Sequence, residues 1–316
     1  MRTHQIAAFL FTVIGTVAVA GPPLPTAADY EFHTFQAPDA LDTLPFGLNN
    51  QGLATGLWYG WDFTPEGYLT AEYGFLYSIE GGLRTVEAPF PGVRYTLLYQ
   101  TNQRGDVAAG VATEPMVGAV AAVYHSRSDT WTVLPDPDPT SLSSQAVGIN
   151  DRGQIFGNWG DNPFWLNNHG WIYERGQYTF FDAPGASPDS VGTLVSFANN
   201  RGDVVGDYYD SESGVHGYIR YGHDGRIETI DVPVGVPGTT SAMAINNQGM
   251  IVGGYLGDDG RRHGFILKNT SYTVFDAPGA VNTVLSAIND RGDLAGYTYV
   301  DWDHASVAFI AIRKGK

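Results

Sequence analysis

The sequence predicts an all-β protein, a six-bladed β-propeller whose blades each contain four strands. A segment of about 48 residues recurs six times, and each copy carries one turn glycine: Gly52, Gly105, Gly153, Gly202, Gly249 and Gly292. The copies consist of short apolar runs separated by turn residues, and no helical 3.6-residue period competes with them. Four-strand repeats of this length are typical of propellers, whereas the alternative, a solenoid, needs atypical capping repeats.

The elements of each repeat follow a constant order. The first strand ends at an Ile/Leu-Asn pair and a tight turn, as in "AINNQG" (244–249). Asn suits the start of such a turn because its side chain bonds nearby backbone, and Gly suits the end, which needs positive φ. The second strand follows as "MIVGGY" (250–255), the third begins at "HGFIL" (263–267), and the fourth reads "YTVFDAP" (272–278).

The two ends of the repeat region complement each other. The segment "YEFHTFQAP" (30–38) matches a fourth strand but has no unit before it, whereas the last unit stops after its third strand, "HASVAFIAIRKGK" (304–316). We expect the N-terminal strand to pair with this third strand and complete the last blade. Such closure leaves no exposed inner edge, which a sheet otherwise has to protect.

The first 20 residues predict a secretory signal peptide. A basic start, an apolar run over 6–20 and small residues before Gly21 fit a cleavage site. A membrane anchor is the alternative, but the run is short for a span. We therefore assign residues 1–20 to the signal peptide, 21–29 to a short linker and 30–316 to one propeller domain. The protein is predicted to be secreted, periplasmic or extracellular, with no membrane span after cleavage.

Composition narrows the function classes. The formal net charge is −16, from 33 acidic and 17 basic residues, so the surface repels phosphate backbones and nucleic-acid binding is not expected. There is no cysteine, so stability comes from the core rather than from disulfides. Motifs for phosphate loops, zinc proteases, nucleophile elbows and dinucleotide sites are absent from the sequence. No catalytic residue can be named, and whether the protein is an enzyme is uncertain, with the balance against it.

The repeats resemble a known family. The pattern "INDRG…G…HGF…FDAPGA" is similar to the HAF repeat of secreted bacterial proteins, and the resemblance covers about residues 30–316. It is weaker in the second unit, where "GAVAAVYH" (118–125) lacks the His-Gly step. The resemblance implies secretion and a repeat fold, and it transfers no catalytic motif to this chain.

Departures from the repeat are candidates for function. The segments between the second and third strands are long and dissimilar, and we predict that they form loops on one face of the propeller: residues 58–74, 158–170, 207–217, 254–264 and 298–308. Tryptophan beside carboxylates suits sugars, since the ring stacks on C–H groups and the carboxylate accepts hydroxyl hydrogen bonds; the alternative is that the tryptophans pack between blades. The candidate ligand-binding residues are Trp58, Trp61, Asp62, Trp159, Asp161, Trp165, Tyr209 and Trp302.

The same loops suggest a cation, with Ca²⁺ as the candidate cofactor because it accepts several oxygen ligands from irregular loops. The candidate ligands are Asp258, Asp259, Asp301 and Asp303. His169, His216 and His263 recur at one step of three successive repeats, so we interpret them as structural rather than as one zinc site. The predicted function is binding of an extracellular glycan or surface partner on the loop-rich face. The alternatives are a polysaccharide hydrolase or lyase that uses loop carboxylates, and a structural or assembly protein.

Overall fold

The structure, a computed structural model, describes residues 23–64, 67–113, 118–160, 167–301 and 305–315. The predicted signal peptide lies outside these residues. The only helix among them is a 3-10 turn, Ala27–Asp29, so the all-β class is confirmed. The strands are β1 (Tyr30–Phe35), β2 (Asp42–Leu48), β3 (Ala54–Thr64), β4 (Gly67–Ser78), β5 (Gly82–Val86), β6 (Val93–Thr101), β7 (Asp106–Thr113), β8 (Val120–His125), β9 (Thr130–Val133), β10 (Ser143–Ile149), β11 (Ile155–Gly160), β12 (His169–Glu174), β13 (Gln177–Phe181), β14 (Thr193–Ala198), β15 (Val204–Tyr209), β16 (Val215–Arg220), β17 (Ile227–Ile230), β18 (Ser241–Ile245), β19 (Met250–Leu256), β20 (Arg262–Lys268), β21 (Ser271–Phe275), β22 (Asn282–Ile288), β23 (Leu294–Tyr299) and β24 (Val307–Arg313).

Four sheets have four strands each. Three are antiparallel meanders in chain order, β10–β13, β14–β17 and β18–β21. The fourth has the order β1-β24-β23-β22, with Tyr30 opposite Arg313 and Phe35 opposite Ala308, so the N-terminal strand pairs with the C-terminal one as predicted. Strands β2 to β9 differ from the prediction of separate blades, since they form one eight-stranded sheet. The link is a single parallel pairing of Glu72 in β4 with Tyr95 in β6.

One predicted loop is instead a long hairpin. The segment 58–74 was predicted to leave the sheet, but β3 continues to Thr64 and β4 starts at Gly67. The pairing extends without a break from Ala54–Tyr77 to Thr64–Gly67. The reason is composition: Trp58, Tyr59, Trp61 and Phe63 are strong strand formers, which the search for long loops did not weigh. No helix of the described residues is long and apolar enough to cross a membrane.

The six tight turns are joined in a ring. Each turn Asn accepts hydrogen bonds from backbone N–H groups of its own turn, as Asn246 does from Gln248 and Met250 at 3.0 Å. Its Nδ2 donates to the carbonyl of the next turn Asn at 3.0–3.5 Å. The last link, from Asn289 to Asn49, closes the cycle at 3.1 Å. Buried amides are costly unless paired, so the ring holds the sheets around one axis, as in a β-propeller. The members are Asn49, Asn102, Asn150, Asn199, Asn246 and Asn289.

Glycine in the second strand makes room for an aromatic residue of the third. A Cβ on Gly157 would lie 2.2 Å from the Trp171 ring, and one on Gly253 would lie 2.9 Å from the Phe265 ring. Trp171 and Phe265 are fully buried as a result. In these sheets the contact fills the interior side with one large ring, which explains why glycine stands at a strand position outside the tight turn.

The hydroxyl six residues before the turn Asn has a local role. Thr43, Thr193 and Thr283 accept a hydrogen bond at 2.9–3.0 Å from the backbone N–H of the alanine in the preceding "AP" step. All three side chains are buried. They fix the crossover from one sheet to the next, because a buried N–H without a partner costs free energy.

Candidate binding site on the loop-rich face

A cavity of about 410 Å³ opens among the ends of the second strands and the starts of the third strands. We call it the loop-face cavity. Its lining comes from the sheets that meet where the chain ends meet, β18–β21, β22–β24 and β2–β3. The functional groups that line it include those of Asp42, Tyr59, Arg262, Tyr297, Tyr299 and Asp301. This volume lies within the range typical of small-ligand sites.

One position of the second strand lacks a side chain at the cavity. Leu57, Asn158, Asp207 and Tyr297 hold this position in four repeats, and glycine holds it in β7 and β19. At Gly110 in β7 the Gln145 side chain fills the space, since a Cβ on Gly110 would lie 3.0 Å from it. Gly254 in β19 lines the cavity instead, and a Cβ there would meet nothing closer than 3.6 Å, so the space beside it is open.

Asn158 shows what that position does elsewhere. Its Nδ2 donates to the Val195 carbonyl at 3.2 Å, and its Oδ1 accepts from the Val195 N–H at 2.6 Å, so one amide bridges two sheets. Asp207 occupies the same place and accepts from the Ala242 N–H at 2.9 Å. Burial raises the pKa of Asp207 to about 7, against the opposing effects of its hydrogen bonds to Ala242 and Ser241. Unlike the amide of Asn158, an ionised Asp207 carboxylate has no N–H group, so it cannot donate a hydrogen bond to the Ala242 carbonyl.

A second carboxyl group with a raised pKa lies beside a strand that lines the cavity. Glu72 pairs across the strands with Tyr59, and burial raises its pKa to about 7. The negative charge of Glu72 adds to burial in raising the pKa of Tyr59 and of Tyr99. Both hydroxyls therefore carry their protons at neutral pH and above, and the Tyr99 hydroxyl donates to the Gln145 Oε1 at 3.0 Å. A carboxyl group with a pKa of about 7 is partly protonated at neutral pH.

Arg262 supplies the positive charge of the cavity. It begins β20, and its backbone N–H is fixed by a 2.8 Å hydrogen bond to the Asn282 Oδ1. Burial raises the pKa of Tyr297 to about 12, while the charge of Arg262 acts in the opposite direction. Burial also raises the pKa of Tyr299, and the charge of Arg262 again opposes it. Two protonated tyrosine hydroxyls and one guanidinium thus share the cavity.

Asp42, at the start of β2, connects that strand to the residue that precedes β24 at the cavity edge. Its Oδ1 accepts from the Ser306 N–H at 3.0 Å and from the Ser306 Oγ at 2.6 Å. One oxygen is therefore occupied, and the remaining acceptor sites of the carboxylate are available to a ligand hydroxyl.

The opposite end of the axis is closed. Gln100, in an irregular part of β6, donates to the Ala198 carbonyl at 2.6 Å and accepts from the Ile149 N–H at 3.2 Å. Only about 40 Å³ remains beside it, inside the asparagine ring.

Two predicted tryptophans pack on strands. Trp58 stacks on Tyr73 with 4.3 Å between ring centroids, and its Nε1 donates to the Thr85 Oγ1 at 3.3 Å. Trp159 stacks on His169 at 4.9 Å, and its Nε1 is buried with no hydrogen-bond partner in the part of the chain that the structure describes. Neither ring lines the loop-face cavity. In the strand that carries Trp58, the neighbouring Tyr59 lines the cavity instead.

Of the other predicted residues, one lines the cavity and one lies near two of the charged residues discussed above. Asp301, a predicted metal ligand, lines it. Tyr209 lies near Asp207 and Arg262, because both charges affect its pKa, which burial raises. Trp61 and Asp62 belong to β3, but their side chains lie outside the described residues, as do Asp161, Trp165, Trp302 and Asp303 as a whole.

The described residues include no group of three or more His, Asp or Glu side chains that could hold a metal ion. Asp258 is exposed, and Asp259 accepts from the His263 Nε2 at 3.2 Å. The repeated histidines each pair with an Asp that lies two residues before a proline, as His263 does with Asp276 at 3.0 Å. They lie in separate sheets, so their interpretation as structural side chains agrees with these contacts.

Sequence reasoning missed most of the cavity residues and their neighbours, namely Asp42, Tyr59, Glu72, Asp207, Gly254, Arg262, Tyr297 and Tyr299. We searched the loops of the sequence for departures from the repeat. The same search within the strands could have identified these residues. At the position of Gly254 the residue type differs from sheet to sheet. Comparing strands position by position would have identified Gly110 and Gly254 as the two positions without a side chain, and hence the candidate gaps.

No family model matches the chain, and no curated protein matches it. Several solved structures do. AofleA from Arthrobotrys oligospora superposes with a TM-score of 0.54 at 14% identity, over 92% of this chain and 94% of that one. A protein of unknown function from Dyadobacter fermentans gives a TM-score of 0.53 at 14% identity, over 90% and 95%. A luciferin-regenerating enzyme gives 0.52 at 8% identity, over 90% and 96%. At these identities the likeness is one of fold alone.

Proposed function

We propose that the protein is an exported six-bladed β-propeller that binds an extracellular glycan in the loop-face cavity. The ring of six turns supports the count of blades, with β2–β5 and β6–β9 as two blades joined at the Glu72–Tyr95 pairing. The predicted signal peptide would bring the protein to the compartment where such glycans occur.

The observation that carries the binding function is the chemistry of the cavity lining. Three tyrosines, one arginine and two aspartates surround about 410 Å³. Aromatic rings offer faces to the C–H groups of a sugar, and the polar tips offer donors and acceptors to its hydroxyls. A purely structural interface would close this space, as the side chains of Asn158 and Asp207 do between other sheets.

The test is to fill the cavity without disturbing the fold. Gly254→Leu places a leucine where Leu57 already stands in the sheet of β3, and Gly254→Ala is the matched control with little added volume. We expect Gly254→Leu to abolish binding on a glycan array and Gly254→Ala to retain it, with similar melting temperatures for both. Glycan binding that is unchanged in Gly254→Leu would place the ligand elsewhere.

A further inference from the structure

Arg262 is a cation without a carboxylate partner among the described residues. The arginines of three turns each pair with an aspartate two residues on, as Arg201 does with Asp203 at 2.7 Å and Arg291 with Asp293 at 2.9 Å. No described Asp or Glu lies within 4.0 Å of the Arg262 guanidinium, although the chain carries 33 acidic residues. In a protein so rich in acids, an unmatched guanidinium inside a cavity needs an explanation.

The cavity lining around Arg262 includes two hydroxyl donors, Tyr297 and Tyr299, as well as the carboxylates of Asp42 and Asp301. Tyr297 and Tyr299 carry their protons at neutral pH, because the ordinary tyrosine pKa of 10.0 is already far above 7 and burial raises the pKa of both hydroxyls further. Asp207, whose carboxyl also interacts with Arg262, has its pKa raised to about 7 by burial and is therefore partly neutral at physiological pH. A guanidinium and two hydroxyls presented together match the two oxygens of a carboxylate, which Arg binds as a fork.

We infer that the glycan bound in the loop-face cavity is acidic, and that Arg262 binds the carboxylate of a uronic acid unit. This inference rests on the proposed function and names the substrate class of the same site. Asp42, which keeps free acceptor sites beside Ser306, lines the same cavity and can accept a hydrogen bond from a sugar hydroxyl. The arrangement therefore selects a sugar that carries both a carboxylate and hydroxyls.

The experiment compares two ligands by titration calorimetry at pH 6: oligogalacturonides of two to four units and the same oligomers after reduction of their carboxyl groups. Wild-type protein should bind the acidic oligomers about 10- to 100-fold more tightly, the range expected for one charge-assisted contact. Arg262→Gln should remove this preference and still bind the reduced oligomers.

The matched control is Arg261→Gln, which removes the same charge from the adjacent residue, whose side chain lies near Asp259 outside the cavity. It should keep the preference for acidic oligomers. Equal losses in both variants would mean that only the overall charge matters, and would overturn the role of Arg262. Equal binding of both ligands by the wild type would overturn the inference but leave the glycan site intact. If no oligomer binds and Gly254→Leu changes no interaction on the glycan array, the proposed function itself fails.

Discussion

Replacing Asp207 by asparagine should stabilise the protein at alkaline pH. Asp207 is 9% exposed, and burial raises its pKa from 3.8 to about 7. A raised pKa in the folded state means that the stability contribution is full below about pH 4 and is lost as the pH rises toward 7. At 1.36 kcal/mol per pKa unit, a shift of about three units costs up to about 4 kcal/mol above pH 7. An asparagine has no charge and does not incur this cost.

The geometry for an asparagine at this position already exists in the neighbouring sheet. Asn158 bridges to Val195 through both its amide atoms, and Ala242 offers the same pair of backbone groups to the side chain at position 207. Arg262, Tyr209 and Tyr218 are the other ionisable groups that interact with Asp207, and the attraction of Arg262 is too weak to reverse the effect of burial. The amide should therefore fit without repacking.

Urea denaturation at pH 4, 6 and 8 measures the effect. The stability gained in Asp207→Asn should be small at pH 4 and grow to about 4 kcal/mol at pH 8. The reciprocal change, Asn158→Asp, should destabilise the protein with the same pH dependence, since it creates a buried carboxyl group in the same frame. A stability difference between Asp207→Asn and wild type that is constant from pH 4 to pH 8 would refute the reasoning.

Two further predictions concern the ring and the tryptophans. Deletion of residues 29–39 removes β1, including the buried Tyr30 and Phe35, and should cost about 3–6 kcal/mol and expose the edge of β24; an unchanged melting temperature would contradict closure by β1. Trp159→Ala should lower stability by about 3 kcal/mol while glycan affinity stays the same, because the ring stacks on His169 outside the cavity; a loss of affinity at wild-type stability would restore Trp159 as a ligand residue.

The parts of the fold that the sequence predicts well are those set by short-range chemistry. The turn Asn and Gly identify themselves because the side-chain bonds and the positive φ arise within a few residues, as at Asn246 and Gly249. The pairing of β1 with β24 was predicted because the N-terminal segment matches a fourth strand and the last unit lacks one. The extended hairpin of β3 and β4 was missed because a search for unlike loops looks past strand propensity in the same residues.

The candidate site was harder to predict because it depends on which strand residues face the axis. Strand residues alternate between faces, so a choice between Trp58 and Tyr59 depends on register alone. The prediction favoured tryptophan because its ring is larger. In the structure, however, Trp58 stacks on Tyr73, and it is Tyr59 that lines the cavity. The cavity also depends on the absence of a side chain at Gly254, and this absence becomes visible only when the repeats are compared at one position.

The site residues share one property, which is departure from a repeat that otherwise fills its own space. Asn158 connects two sheets through both polar atoms of its amide. Asp207 keeps a hydrogen bond between the sheets, but its carboxyl group has a pKa of about 7. Gly254 has no side chain to make such a contact. These three residues lie at one position of three successive sheets. Arg262 then brings a positive charge to the gap beside the titrating carboxyl group. The proposed glycan would occupy the space at Gly254 and meet the charge of Arg262.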